Sequence, residues 1–191
     1  MSADTLNDAI DRFFDHYQIT HPQLSCPTDS DWPSPCELDD VPAAPGETQW
    51  RPVRRHRDTQ DFVDLERALG FELHADLKTH YARYWSGTLE AEAPDGHVSL
   101  IYLWNREDVD RLVENLIGHV VACRNNKTPF AGFFATTEPG EDYFLTINNT
   151  TGQVQLEQPG YKPLRVICDS LAEFYDLLVP ASQPNQSPVD G

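Results

Sequence analysis

Positive charge is what this chain has least of. Against 31 aspartates and glutamates it carries 14 lysines and arginines, for a formal net charge of −17 over 191 residues. Such a chain is repelled by nucleic acid and by anionic lipid headgroups alike, so its favoured partners are basic surfaces. The plainer use of the same charge is solubility. Long apolar runs are missing as well. No stretch approaches the roughly 20 apolar residues that span a bilayer, and LIGHVVAC is short and broken by His119. The N-terminus, MSADTLNDAIDRFF, is acidic and lacks the basic region and apolar run of a secretory signal, so a cytosolic location is expected.

Catalytic and metal-binding signatures are also missing. There is no P-loop, no GxGxxG, no HExxH and no GxSxG. Cys26, Cys36, Cys123 and Cys168 include no pair at metal-knuckle or redox spacing, so they are expected to be reduced and structural, with a Cys26–Cys36 bridge as the lesser alternative. His74 and His80 are six residues apart, which does not stack them as helical ligands. Glu90 and Glu92 share a strand face and could pair as acid and base, but among 31 acids such pairs arise by chance. The expectation is a binding module with no cofactor, no metal and no enzymatic activity.

What is present is organised around Trp104–Cys123, WNREDVDRLVENLIGHVVAC. Asn105 is placed to cap a helix in exchange with Asp108, and Glu107 and Asp108 suit the positive end of the helix dipole. Val109, Leu112, Val113, Leu116, Ile117, Val120 and Val121 recur at three- and four-residue steps and read as one buried stripe. Arg111, Glu114, Asn115, Gly118 and Ala122 lie opposite, with His119 at the edge. A mid-helix glycine costs about 1 kcal/mol against alanine. Gly118 therefore implies a close approach, by another part of this chain on the usual reading or by a partner.

Residues 3–18 form a first amphipathic helix, with Leu6, Ile10, Phe13, Phe14 and Tyr17 inward and Asp4, Asp8, Asp11 and Asp15 on a solvated row; Thr5 and Asp8 offer a capping box. The first 50 residues hold ten acids and one base, Arg12. From Thr20 to Pro52 the chain is proline-rich and irregular, pinned by Trp32 and Trp50. The basic island RPVRRHR, residues 51–57, is expected to pair internally. Phe62–Leu69 and Ala75–Trp85 read as helices, the second ended by Gly87. TLEAEA and HVSLIYLW flank a Pro94-Asp95-Gly96 turn as a hairpin. PFAGFFAT, DYFLTIN, GQVQLEQ and LRVIC are further strands, and Ser170 caps a last helix, Leu171–Leu178. This order gives an α+β fold: one domain over residues 1–179, with a mixed or mostly antiparallel sheet of about five or six strands flanked by helices. Residues 180–191 are expected to be a disordered tail.

The run Leu103–His119, with Trp104 and Asp108 in W-x-x-x-D spacing and then Glu114-Asn115-Leu116-Ile117-Gly118-His119, resembles the Syd family, the SecY-interacting proteins of Gram-negative bacteria. The likeness continues through Phe134-Ala135-Thr136, Asn149, Gly152 and Val154 to Leu171-Ala172-Glu173-Phe174. Upstream it includes Pro33-Ser34-Pro35-Cys36, Trp50 and Pro52. The basic island and the tail after Leu178 depart from the pattern. LERALGFELHADLKTHYARYWSG resembles, more loosely, the SUKH superfamily signature. The resemblance implies a protein that docks on the cytoplasmic face of the channel subunit SecY, peripherally on the inner membrane, and monitors or dissociates improperly assembled channel complexes. It also implies a concave acidic binding surface, for which Glu66, Glu107, Asp110 and Glu114 are the candidates. The alternative within the superfamily is an immunity protein that blocks a basic toxin.

Overall fold

The computed structural model describes residues 3–55, 59–138 and 142–182. Helix α1 spans Ala3–Thr20, followed by short strands β1 (Leu24–Pro27), β2 (Glu47–Trp50) and β3 (Val53–Arg54). A 3-10 turn, Thr59–Phe62, leads into α2 (Val63–Leu69), then α3 (Ala75–Arg83) and β4 (Tyr84–Trp85). The hairpin β5 (Leu89–Ala93) and β6 (Gly96–Leu100) precedes α4 (Arg106–Asn126). Strands β7 (Ala131–Thr136), β8 (Phe144–Asn148), β9 (Val154–Glu157) and β10 (Arg165–Cys168) follow, then α5 (Leu171–Leu177) and β11 (Val179–Pro180).

The main sheet has seven strands in the order β10-β9-β8-β7-β6-β5-β11, all pairs antiparallel. It exceeds the expected five or six because the chain returns after α5 and pairs Val179 and Pro180 with β5. Two small sheets, β1-β2 and β3-β4, flank it. The β3-β4 pairing is why α3 stops early. Tyr84 is extended and pairs with Arg54, so the helix expected to reach Trp85 ends at Arg83, well before Gly87. The tail expected over residues 180–191 starts later than that: Pro180 pairs with Ala91, and Ala181 is buried with its N–H donating to the Glu90 carbonyl at 2.9 Å, while residues 183–191 lie outside the described residues.

Side-chain alternation along the strands assigns the two faces of the sheet. Leu145 and Ile147 face α3 and α5, where Leu77 packs onto Gly132 so closely that a Cβ there would lie 2.2 Å from it. Phe174 of α5 meets Phe134 edge-on at 5.6 Å. α1 seals this side with Ile10 and Phe14, both fully buried; Phe14 stacks on Tyr84 at 3.9 Å. α4 lies on the opposite face, with His119 against Phe133 and Phe144.

Two expectations for α1 are corrected. The helix already includes Ala3, so Thr5 lies inside it and does not cap it. Asp11 is not part of a solvated row: it accepts from Arg83 Nε at 2.9 Å, Arg54 Nη2 at 2.7 Å and the Tyr84 hydroxyl at 3.0 Å. Arg54 and Arg55 pair internally as expected. Arg55 is buried between Asp61, the Tyr81 carbonyl and the Trp85 ring. Arg51, at the start of that basic island, is exposed and makes no ion pair among the described residues, and His56 and Arg57 lie outside the described residues. All four cysteines are free.

Candidate functional site

The N-terminus of α4 is built as its sequence dictates. Asn105 Oδ1 accepts the Asp108 N–H at 3.1 Å, and Asp108 reaches back to the Trp104 N–H at 2.9 Å, one residue beyond the capping-box partner. The irregular segment after α1 wraps this end. The Trp104 indole N–H donates to the Trp32 carbonyl, Asn105 donates to the Pro33 carbonyl, and Trp104 packs edge-on against Trp50 at 5.4 Å. Arg111 lays its guanidinium over Trp32, 3.8 Å from the ring centroid. Trp104 and Asp108 therefore hold structure together. Lys127, in the left-handed conformation, ends the helix three residues beyond the expected Cys123.

The apolar stripe is narrower than its periodicity implies. Val109, Leu112, Leu116 and Val120 are buried, Val113 is half-buried, and Ile117 and Val121 are 39% and 49% exposed. Helical spacing shows which residues could be buried together, but the sheet beneath covers a narrower strip. Gly118 is exposed between them, and a Cβ added there would meet nothing within 4 Å. The close approach by another part of this chain, the usual account of such a glycine, is therefore not found among the described residues.

The acids of this helix divide by partner. Glu107, Asp110 and Glu114 are exposed and make no ion pair with any described residue. Asp108 is engaged by the cap and by Arg111 at 3.8 Å. Glu66, the fourth candidate, stands apart on α2. It binds Lys78 Nζ at 2.7 Å and the Leu73 N–H at 2.8 Å, with its side chain mostly covered, so it is tied into the turn between α2 and α3. Many cations are likewise committed to internal pairs: Arg12 with Asp176, Arg83 with Asp11, Arg106 with Asp61, Arg165 with Asp95. The surplus acids are what remains to act outward.

The remaining motif residues have plain positions. Asn115 is exposed, Leu116 is fully buried, and His119 donates from Nε2 to the Ala131 carbonyl at 3.0 Å, its imidazole kept neutral by burial. Asn149 accepts from the His74 N–H at 2.8 Å and donates to the Glu72 carbonyl at 2.9 Å, binding the β8–β9 turn to the start of α3. Gly152 sits at φ +75° against the His74 ring, where a Cβ would lie 2.7 Å from it. Glu90 and Glu92 share one histidine: His97 is 2.7 Å from Glu90 and 3.3 Å from Glu92. Among the described residues, no three His, Cys, Asp or Glu side chains gather as metal ligands.

Sequence reasoning missed a cavity of about 370 Å³ between α4 and the β7–β9 face of the sheet, walled by Ile101, Phe133, Phe144 and Tyr161. Glu157 lines it, only 7% exposed, with its Oε1 accepting the buried Thr146 hydroxyl at 2.9 Å. Burial pushes the Glu157 carboxyl up, and the Thr146 hydrogen bond offsets this only in part. The alternation Val154-Gln155-Leu156-Glu157 would put Gln155 and Glu157 toward solvent; α4 covers that face instead.

These features define an acidic α+β domain whose central helix presents exposed carboxylates, without ion pairs among the described residues, beside a partly exposed apolar strip. The chain belongs to the Syd family: it matches the family described as Syd protein (SUKH-2) over residues 3–180. It is 37% identical over 183 residues to Protein Syd of Pseudoalteromonas atlantica, covering 93% of this chain and 97% of that protein. It is 40% identical over 181 residues to Protein Syd of Alteromonas mediterranea, with 92% and 97% covered. Against Protein Syd of Colwellia psychrerythraea the identity is 36% over 187 residues, with 91% and 92% covered.

Proposed function

We propose that this protein docks on the cytoplasmic face of the SecY translocation channel and there monitors or dissociates improperly assembled channel complexes. The observation that carries the reading is the outward face of α4: Glu107, Asp110 and Glu114 are exposed and make no ion pair among the described residues, and they continue into the partly exposed Ile117, Gly118 and Val121. Membership of the Syd family supports it. Cytoplasmic loops of membrane proteins are enriched in Lys and Arg, so they complement such a face. Charge of this kind steers encounter and selects partners more than it sets affinity. No helix among the described residues is long and apolar enough to cross a membrane, and association through the channel is peripheral.

A variant with Glu107, Asp110 and Glu114 all changed to Lys tests the face directly. The changes are on exposed positions and leave the core intact. The expected result is loss of co-sedimentation with SecY-containing membranes. Wild-type-like binding by the folded variant would overturn the assignment.

A further inference from the structure

The cavity between α4 and the sheet is built for a ligand of definite chemistry. Glu157 is more than nine-tenths buried at its wall, and while Thr146 satisfies Oε1, Oε2 receives no hydrogen bond or ion pair from any described residue. That oxygen is not among the fully buried atoms left without a partner: it keeps solvent access at the cavity, where an arriving cation replaces water beside a carboxylate that is otherwise covered. The groups already present do not supply one. His119 donates its Nε2–H to the Ala131 carbonyl and stays neutral, and the Cys123 thiol, 3.7 Å from that nitrogen, is itself held protonated by burial.

The walls narrow the class further. Phe133, Phe144 and Ile101 offer apolar and aromatic surface around the carboxylate, which suits an ammonium or guanidinium on a short apolar stem. A neutral apolar guest would leave Oε2 unpaired. An anion would face Glu157 and the −17 field of the whole chain. A hard metal ion would need about six oxygen donors, and no cluster of even three ligating side chains exists among the described residues. Entry is open. Ala122 and Asn126, exposed on α4, and Tyr161, 65% exposed, line the mouth.

We propose that this cavity binds a single organic cation, an ammonium or guanidinium on an apolar stem of a few carbons, with Glu157 Oε2 as its anchor. The site goes beyond the docking face and does not depend on it. The cation has two sources, a free small amine or a lysine or arginine side chain presented by a polypeptide.

The experiment is an NMR titration of the full chain with n-butylammonium and n-butylguanidinium, with n-butanol as the uncharged control. A parallel arm uses the blocked tripeptide acetyl-Gly-Lys-Gly-amide. The cations are expected to shift the resonances of Phe133, Phe144 and Tyr161 while butanol does not. Glu157→Gln, which keeps the shape and can still accept from Thr146, should weaken binding at least about tenfold, as loss of a charge-assisted bond implies. Ala122→Phe, an exposed change at the mouth that leaves Glu157 intact, should block entry. Tripeptide binding comparable to the free cations assigns the site to a polypeptide side chain, and binding of the free cations alone assigns it to a small amine. Absent shifts at the cavity, equal binding of butanol, or unchanged affinity in Glu157→Gln would overturn the proposal.

Discussion

His80 is fully buried, bonded to the Tyr175 hydroxyl at 2.8 Å and, through its other ring nitrogen, to the Ile101 carbonyl at 2.9 Å. Tyr175 in turn lies 2.5 Å from the Tyr102 hydroxyl, so one imidazole ties α3, α5 and the segment after β6 together. Burial lowers its pKa from 6.5 to about 4, more than the carbonyl hydrogen bond raises it. The unfolded chain then takes up a proton near pH 6.5 that the folded chain refuses until about pH 4. Its contribution is full above that window and lost as pH falls through it, about 3 kcal/mol in all. His97 acts in the opposite sense. Partial burial disfavours its charge, but the hydrogen bonds to Glu92 and Glu90 outweigh that and raise its pKa, so it stabilises at low pH and loses that effect as pH rises. The buried site dominates. Thermal unfolding followed from pH 7 to pH 4 should show a steep loss of stability that His80→Gln flattens; an equally steep loss in the variant would contradict the assignment.

At the scale of the element, α4 carries more cost than its own packing explains. Gly118 weakens a helix whose interior would take alanine freely, and no atom of the described residues lies where the methyl would go. Gly118→Ala should raise stability by about 0.5–1 kcal/mol, read as a higher midpoint in urea, and a lower midpoint would show a packing role the geometry lacks. Much of this helix was legible in the sequence: its cap, its start, and Leu112, Leu116 and Val120 as core. The exposure of Ile117 and Val121 was not, because periodicity reports the direction of a side chain and not the width of the surface beneath it. The same limit hid the Glu157 cavity, since strand alternation marks Thr146 and Glu157 as outward and cannot say that a helix will lie over them. The reach of Asp11 to Arg54 and Arg83, across 43 and 72 residues, is a tertiary fact that its own heptad could not disclose.

For the whole molecule, the strands, their turns and the antiparallel sheet follow from sequence pattern, and the seventh strand comes from a two-residue pairing too short for any pattern to mark. Charge is the global property that the proposed docking draws on. Internal pairs absorb many of the cations, the net −17 remains, and α4 presents part of it beside a partly exposed apolar strip. In the proposed docking, a basic loop arriving at this face is drawn by long-range attraction, screened over about 8 Å at physiological ionic strength, and held by short-range apolar contact that salt leaves intact. The most direct measurement is binding of the full chain to SecY-containing membranes across a salt series, with protein-free anionic liposomes as control. The account predicts binding to the channel membranes alone, weakening steadily as salt rises. Absence of binding at low salt, or equal binding to the bare liposomes, would contradict it.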